Sequence, residues 1–391
     1  MTLPSAIKQK SKSGFLVTVL TLLLLVFLAG CASTPERPPI TSAQQNAAMV
    51  PGYEDIRFAF DSSDQEWARW VARMQVDRAE NDMGNRVDML AVSSGADRGA
   101  FGAGYLIGWS DRGDRPRFDI VTGVSTGALI APFAFLGSEY DPVLQQLYTQ
   151  TSAEGLYRLS ILSSLLGSPS IADNSPMQSI IARHVTTEFV DHIAGEHRLG
   201  RRLLVLTTNL DSQEGIVWDI GAIANSEASD RVDLIRQVLL ASASIPGLLP
   251  PAMIRVEAHG QPFEEMHVDG AVSSSSLLVP LEGLNMASAE GAVTGNGSVT
   301  VLYNNVVWPR YEVTEPSTLA IMIRALDTNI ASADRARLRD YDASADEAGY
   351  RLTVLSIGED YELVGHPRFD EDFMRSLFAY GQARAADASI Q

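Results

Sequence analysis

Phe118-Asp119-Ile120-Val121-Thr122-Gly123-Val124-Ser125-Thr126-Gly127 is the most informative stretch of the chain. Phe118 to Val121 is short and apolar enough for a buried strand. Ala128 to Leu136, just beyond, is apolar throughout and predicts a helix. Between them, Gly123-Val124-Ser125-Thr126-Gly127 fits the G-x-S-x-G pattern, in which a tight strand-to-helix turn presents a serine hydroxyl to open space. Gly123 and Gly127 permit the strained backbone and close strand–helix approach that such a turn needs. The helix N-terminus beneath the serine favours negative charge beside it. Small residues cluster in many turns, so the pentapeptide carries weight only through its context. Lying between a strand and an apolar helix, Ser125 is a candidate nucleophile.

The flanking sequence repeats this strand–turn–helix arrangement. Val87 to Val92 reads as a buried strand leading into Ser93-Ser94-Gly95-Ala96-Asp97-Arg98-Gly99, with a helix expected from Ala100 to Trp109. Backbone N–H groups exposed at such a strand end can hold an oxyanion. The run Gly99-Ala100-Phe101-Gly102-Ala103-Gly104 is one step too late for a dinucleotide loop, and its glycines are expected inside the helix, where they allow close packing. Further along, Leu203 to Thr208 and Ser298 to Tyr303 predict strands, and Arg231 to Ala243 predicts a helix. Alternating strands and helices imply an α/β fold with a mostly parallel sheet covered on both faces. Trp67, Trp70, Val71 and Met74 recur at helical spacing and are expected to face the core. Ile321 to Tyr350 reads as a charged helix packed outside the sheet, and Ala287 to Gly297 as an exposed loop. There is no internal repeat.

A serine nucleophile needs a base, and a carboxylate or a histidine can serve. Val268-Asp269-Gly270-Ala271 offers a carboxylate, although Asp-Gly turns are common. His184, His192 and His197 lie in a polar stretch that reads as exposed. His267 shares a strand face with Asp269 if that stretch is extended, and His366 fits the Ser…Asp…His order of triad hydrolases. No histidine, aspartate or glutamate cluster has metal-ligand spacing, so neither metal nor cofactor is expected.

Together these elements resemble the bacterial patatin-like phospholipase family. That family combines a glycine-rich oxyanion turn (D/S-G-G-G-x-R/K-G), a G-x-S-x-G elbow, an A-S-x-x-x-P stretch and a distant D-G-G/A. The counterparts are Ser93 to Gly99, Gly123 to Gly127, Ala241-Ser242-Ala243-Ser244-Ile245-Pro246-Gly247, and Asp269-Gly270-Ala271. The resemblance covers Val87 to Glu282, about half of the chain. It departs from the pattern at Ser94 and Ala96, which replace turn glycines, so an oxyanion hole survives only if the turn tolerates a Cβ there. The resemblance implies a patatin-like three-layer sandwich and a lipid acyl hydrolase. Ser125 would be the nucleophile and Asp269 its base, and Gly95, Ala96, Asp97 and Arg98 would form the oxyanion turn. Gly99, Gly123, Gly127 and Gly270 are the motif glycines. The expected substrates are lipids or other esters. Two readings stay open beside it: a Ser-His-Asp esterase or thioesterase, and a catalytically weak envelope lipoprotein retaining the fold.

The 391 residues carry 30 basic and 48 acidic side chains, a net charge of −18, and 46 % hydrophobic residues. Such acidity argues against nucleic acid as a partner and against adhesion to anionic lipid through bulk charge. Lys8, Lys10 and Lys12 precede the apolar run Phe15 to Leu28, which is too short for a comfortable transmembrane helix. Leu28-Ala29-Gly30-Cys31 follows, and Cys31 is the only cysteine. This resembles a lipobox, implying acylation of Cys31. Ala32 after the cysteine favours the outer membrane, facing the periplasm, as the location in the cell envelope. The expected organisation is a leader (1–30), a flexible tether (31–52), a helical extension (53–86), a hydrolase core (87–282) and a C-terminal strand and helix part (283–391). Leu156 to Met177 is a candidate lid. The sequence leaves the oligomeric state open.

Overall fold

The computed structural model describes residues 37–387, apart from 38, 85, 152, 160–169, 171, 282–283, 285–296, 310, 312 and 364–366. Cys31, the leader, His366, most of Ala287 to Gly297 and the middle of the candidate lid therefore lie outside the described residues.

The strands are β1 (Arg57–Ala59), β2 (Asp88–Val92), β3 (Ile120–Val124), β4 (Arg158–Leu159), β5 (Ala172–Asp173), β6 (Arg202–Asn209), β7 (Glu214–Asp219), β8 (Ala252–Ala258), β9 (Gln261–Asp269), β10 (Ser298–Tyr303) and β11 (Arg351–Ser356). β4 and β5 form a small separate pair. The main sheet runs β1-β7-β6-β3-β2-β10-β11, with β9 also pairing β6 and β8 pairing β9. β6, β3, β2, β10 and β11 are mutually parallel, whereas β1, β7, β8 and β9 make antiparallel pairings. The principal helices are α1 (Asp64–Glu80), α2 (Gly99–Arg112), α3 (Thr126–Leu136), α4 (Asp141–Thr149), α5 (Ser175–His184), α6 (Thr187–Arg198), α7 (Ile220–Asn225), α8 (Arg231–Ser242), α9 (Thr318–Ala348) and α10 (Glu371–Asp387).

Strand side chains alternate between faces, and the parallel strands are apolar on both. Leu90, Val92, Leu203 and Val205 join one core with helices such as α2, α3, α6 and α8. Met89, Ala91, Leu204 and Leu206 join a second core with α1, the 277–284 segment and residues of α9. The fold is thus α/β, with the central sheet between two helical layers. The α1 stripe of Trp67, Trp70, Val71 and Met74 is buried in that second core, as its spacing predicts.

Two sequence expectations change. The strand read at Phe118 to Val121 runs from Ile120 to Val124, because its ladder with β6 continues through Gly123 and Val124. The hairpin β8–β9 was not anticipated, although its signals are present. Alternate residues of β8 are buried, and His259 and Gly260 turn the chain with φ of 52° and 74°, the left-handed pair favoured in two-residue hairpins. The glycines of α2 serve packing rather than phosphate binding: a Cβ on Gly104 would lie 2.0 Å from the Phe378 carbonyl oxygen of α10.

Candidate active site

Ser125 sits between the last residue of β3 and the first of α3, with φ 57° and ψ −122°. An L-residue with this backbone is strained by about 1–3 kcal/mol and persists only where its surroundings impose it. Here the constraint is steric. A Cβ on Gly123 would lie 2.4 Å from the Gly127 carbonyl oxygen, and one on Gly127 would lie 2.2 Å from that of Val92. The chain must therefore pass this point with no Cβ at Gly123 or Gly127, two residues to either side of the serine.

Asp269 arrives by a different route. β6 pairs with β3 up to Val124 opposite Leu206. Beyond that point the same edge of β6 is taken by β9, running the other way, with Asp269 opposite Thr207. The other edge belongs to β7 throughout. β3 and β9 thus approach each other head to head along one edge of β6, and their C-terminal ends meet. Ser125 Oγ donates to Asp269 Oδ2 at 2.6 Å, while Asp269 Oδ1 accepts from the Ala271 amide at 2.8 Å. A Cβ on Gly270 would lie 2.3 Å from the Leu206 carbonyl oxygen, so this junction is as tight as the elbow. Burial pushes the Asp269 carboxyl up to about 7, against the opposing pull of its hydrogen bonds from Ser125 and Ala271.

The A-S-x-x-x-P stretch fills the seam between the two strand ends. The buried Ser242 hydroxyl accepts from the Ser125 amide at 3.0 Å and donates to the Leu206 carbonyl at 2.7 Å. The Ser244 carbonyl accepts from the Asp269 amide at 2.9 Å. One segment therefore holds the backbone of both residues. The sequence pattern marked this segment without revealing what its serine touches.

The turn after β2 lies against the elbow. Ala96 is in the left-handed region, with φ 54°, so its Cβ is accommodated there at a modest conformational cost. Among the described residues, the amides of Gly95, Ala96 and Asp97 donate to no protein acceptor. The turn is braced from beyond β10. Asn304 donates from Nδ2 to the Ser93 carbonyl at 2.8 Å, and its Oδ1 accepts from the Gly102 amide at 3.0 Å. The Asp97 carboxylate accepts from the Phe369 amide at 3.0 Å. Sequence reading missed Asn304, whose one signal is its place just after a parallel strand.

Ser125 and Ala96 open onto a cavity of about 990 Å³, part of it open to solvent, walled by residues such as Leu129, Phe133, Leu147, Ile181, Leu249 and Phe369. Leu156, Tyr157 and Met177 of the candidate lid also line it. His184, expected to be exposed, is half-buried in the cavity wall, and burial lowers its pKa. His197 is likewise half-buried, 3.7 Å from Asp219. His267 is fully buried and turned away from the serine. Its ring nitrogens face Thr207 Oγ1 at 2.9 Å and Glu265 Oε2 at 3.0 Å. No histidine among the described residues bonds to Ser125 or Asp269. Among the described residues there is also no group of three histidine, cysteine, aspartate or glutamate side chains placed to hold a metal ion.

The family model for patatin-like phospholipases matches residues 90–283, from β2 through the elbow and Asp269. This span is a patatin-like phospholipase domain. Members of that family are lipid acyl hydrolases. No match is found among curated proteins. Among solved structures, the crystal structure of VipD from Legionella pneumophila aligns over 78 % of this chain and 67 % of that one, at 11 % identity and a TM-score of 0.33, a likeness too slight to argue from. The matched span ends before Asn304 and Phe369, so these residues brace the turn after β2 from outside it.

Proposed function

We propose that this protein hydrolyses carboxylic esters of lipids through a Ser125–Asp269 dyad. The observation that carries the reading is the 2.6 Å hydrogen bond from Ser125 Oγ to a buried carboxylate, with Ser125 in the wall of an apolar cavity. In this reading Oγ attacks the ester carbonyl as its proton passes to Asp269 Oδ2. The tetrahedral oxyanion accepts hydrogen bonds from the free amides of Gly95, Ala96 and Asp97. Collapse expels the alcohol, which takes the proton back from Asp269. Water then repeats the cycle on the acyl-enzyme, and the acyl chain occupies the apolar cavity.

The raised pKa fits this role, since a base with a value near 7 is better matched to neutral pH than an ordinary carboxylate. Only the ionised form can accept the serine proton, so kcat/KM should fall about tenfold per pH unit below about 7. Hydrolysis of a chromogenic ester tests the assignment. Ser125→Ala and Asp269→Asn should each lose at least about a thousandfold in kcat, and the double variant should be little worse. His184→Ala and His267→Ala should keep most of the rate. A severe loss in a histidine variant, with Asp269→Asn still active, would favour the triad esterase instead.

We also propose, from the leader sequence alone, that Cys31 is acylated and anchors the protein to the outer membrane, facing the periplasm. Mass spectrometry of the native protein should find a lipid-modified Cys31 as the first residue, and an unmodified Cys31 would refute the anchor.

A further inference from the structure

Large apolar side chains are exposed at nine positions among the described residues, and six of these follow strand ends at one edge of the sheet. Leu210 follows β6. Val272 follows β9, whose end meets that of β3. Tyr311, Val313, Ile321 and Met322 lie between β10 and the second turn of α9. Ser125, just after β3, stands at the same edge. Helix α9 carries part of this apolar surface clear of the sheet. Asp334 accepts from Tyr303 Oη, at the end of β10, at 2.8 Å and from Ser275 Oγ at 2.5 Å. After the helix, β11 starts level with the start of β10. From Asp334 onward α9 therefore runs back along the sheet. The sixteen residues before Asp334, about 24 Å of helix, extend past the carboxyl edge.

The N-terminal segment is fastened at this edge too. Arg37 donates to both carboxylate oxygens of Asp211, at 2.7 and 2.6 Å, and to the Glu264 carbonyl at 2.7 Å. Asp211 lies in the turn after β6, beside Leu210. Cys31 precedes Arg37 by six residues, which span at most about 20 Å when fully extended. A lipid on Cys31 would therefore hold Asp211 within that distance of a bilayer. A domain standing on its opposite edge would hold Asp211 farther away, since the eight residues of β6 alone span about 26 Å. The chain has a net charge of −18 and is not drawn to lipid by bulk charge. Contact with a bilayer must then be apolar, and the exposed side chains at this edge supply it.

We propose that this edge docks on the bilayer that carries the Cys31 lipid, through Leu210, Val272, Tyr311, Val313, Ile321 and Met322, and so sets Ser125 toward the leaflet in which the protein is anchored. The inference rests on the acylation of Cys31 and on the lipid-ester reading above, and the experiment separates its failure from theirs.

The full-length protein would be reconstituted with vesicles of phosphatidylethanolamine and phosphatidylglycerol, with and without bromine on the acyl chains, and tryptophan emission compared. Two variants each add one reporter. Met322→Trp lies on the proposed surface. Val76→Trp lies at the opposite edge, on α1 near Arg78, which bonds to Asp119 ahead of β3. Brominated lipid should quench the emission added by Met322→Trp and spare that added by Val76→Trp. An Ile321→Asp/Met322→Asp variant should lose at least about tenfold in kcat/KM on an ester held in the vesicles, the effect of withholding two apolar side chains from lipid. Its hydrolysis of a monomeric short-chain ester should be unchanged. No quenching at Met322→Trp would overturn the docking surface and leave this face to a protein partner. Equal quenching at both reporters would overturn the orientation. Equal loss on both esters would make Ile321 and Met322 parts of the catalytic fold and overturn their docking role. Selective quenching without hydrolysis of either ester would refute the catalytic reading while the surface stands. Selective quenching with Cys31 unmodified by mass spectrometry would refute the anchor while the surface stands.

Discussion

The turn after β3 and the turn after β2 are built to the same plan and secured by different means. Each follows a central parallel strand, opens a helix, and holds a non-glycine residue at positive φ: Ser125 at 57° and Ala96 at 54°. The elbow is fixed by neighbours inside the patatin-like domain. The Val92 and Ser93 carbonyls leave no room for a Cβ at Gly127, and Ser242 holds the Ser125 amide. The turn after β2 is fixed largely from beyond the domain, by Asn304 after β10 and by the Phe369 segment before α10. The setting of Ser125 is thus a property of the domain itself, whereas the shape of the turn opposite it depends on the C-terminal third.

The difference can be broken first at the elbow. Gly127→Ala places a Cβ 2.2 Å from the Val92 and 2.6 Å from the Ser93 carbonyl oxygen, both of them backbone atoms. We expect a loss of about 3 kcal/mol or more in stability, read as the midpoint of denaturant unfolding, with activity lost alongside it. An unfolding midpoint equal to that of the wild type would show that the elbow is looser than its contacts imply.

A smaller, selective effect is expected at the brace. Asn304→Ala leaves the Ser93 carbonyl and the Gly102 amide without their side-chain partner. About 1–3 kcal/mol of stability should be lost, and turnover should fall by about a hundredfold, because small displacements of a catalytic turn are costly. The sharp reading is the pair of measurements together. A stability loss with kcat intact would make Asn304 a packing residue only.

The mildest change concerns the segment that closes the cavity. Asp97→Ala keeps the backbone amides of the turn and removes the acceptor of the Phe369 amide. A cost of about 1 kcal/mol is expected, with KM for long-chain esters rising several-fold more than KM for short-chain ones. Equal changes for both chain lengths would mean that the Phe369 wall does not contact the acyl chain.

By itself the sequence determined the strand–turn–helix units, their order and the place of Ser125 at the turn after β3. These are local matters: apolar periodicity sets each element, and the G-x-S-x-G turn gains its meaning from the strand before it and the apolar helix after it. It also offered Asp269 as a partner for Ser125, and the two side chains meet in the fold. The alternating elements predicted a mostly parallel sheet. In fact Asp269 ends an antiparallel strand that takes over the edge of β6 where β3 stops. Only the tertiary structure decided that meeting, the Ser242 bridge across the seam, the Asn304 brace, and the place of His184 and Phe369 in the cavity wall. Each depends on the pairing of segments far apart in the chain, and pairing register is set by the packing of whole strands, which no single stretch of residues encodes.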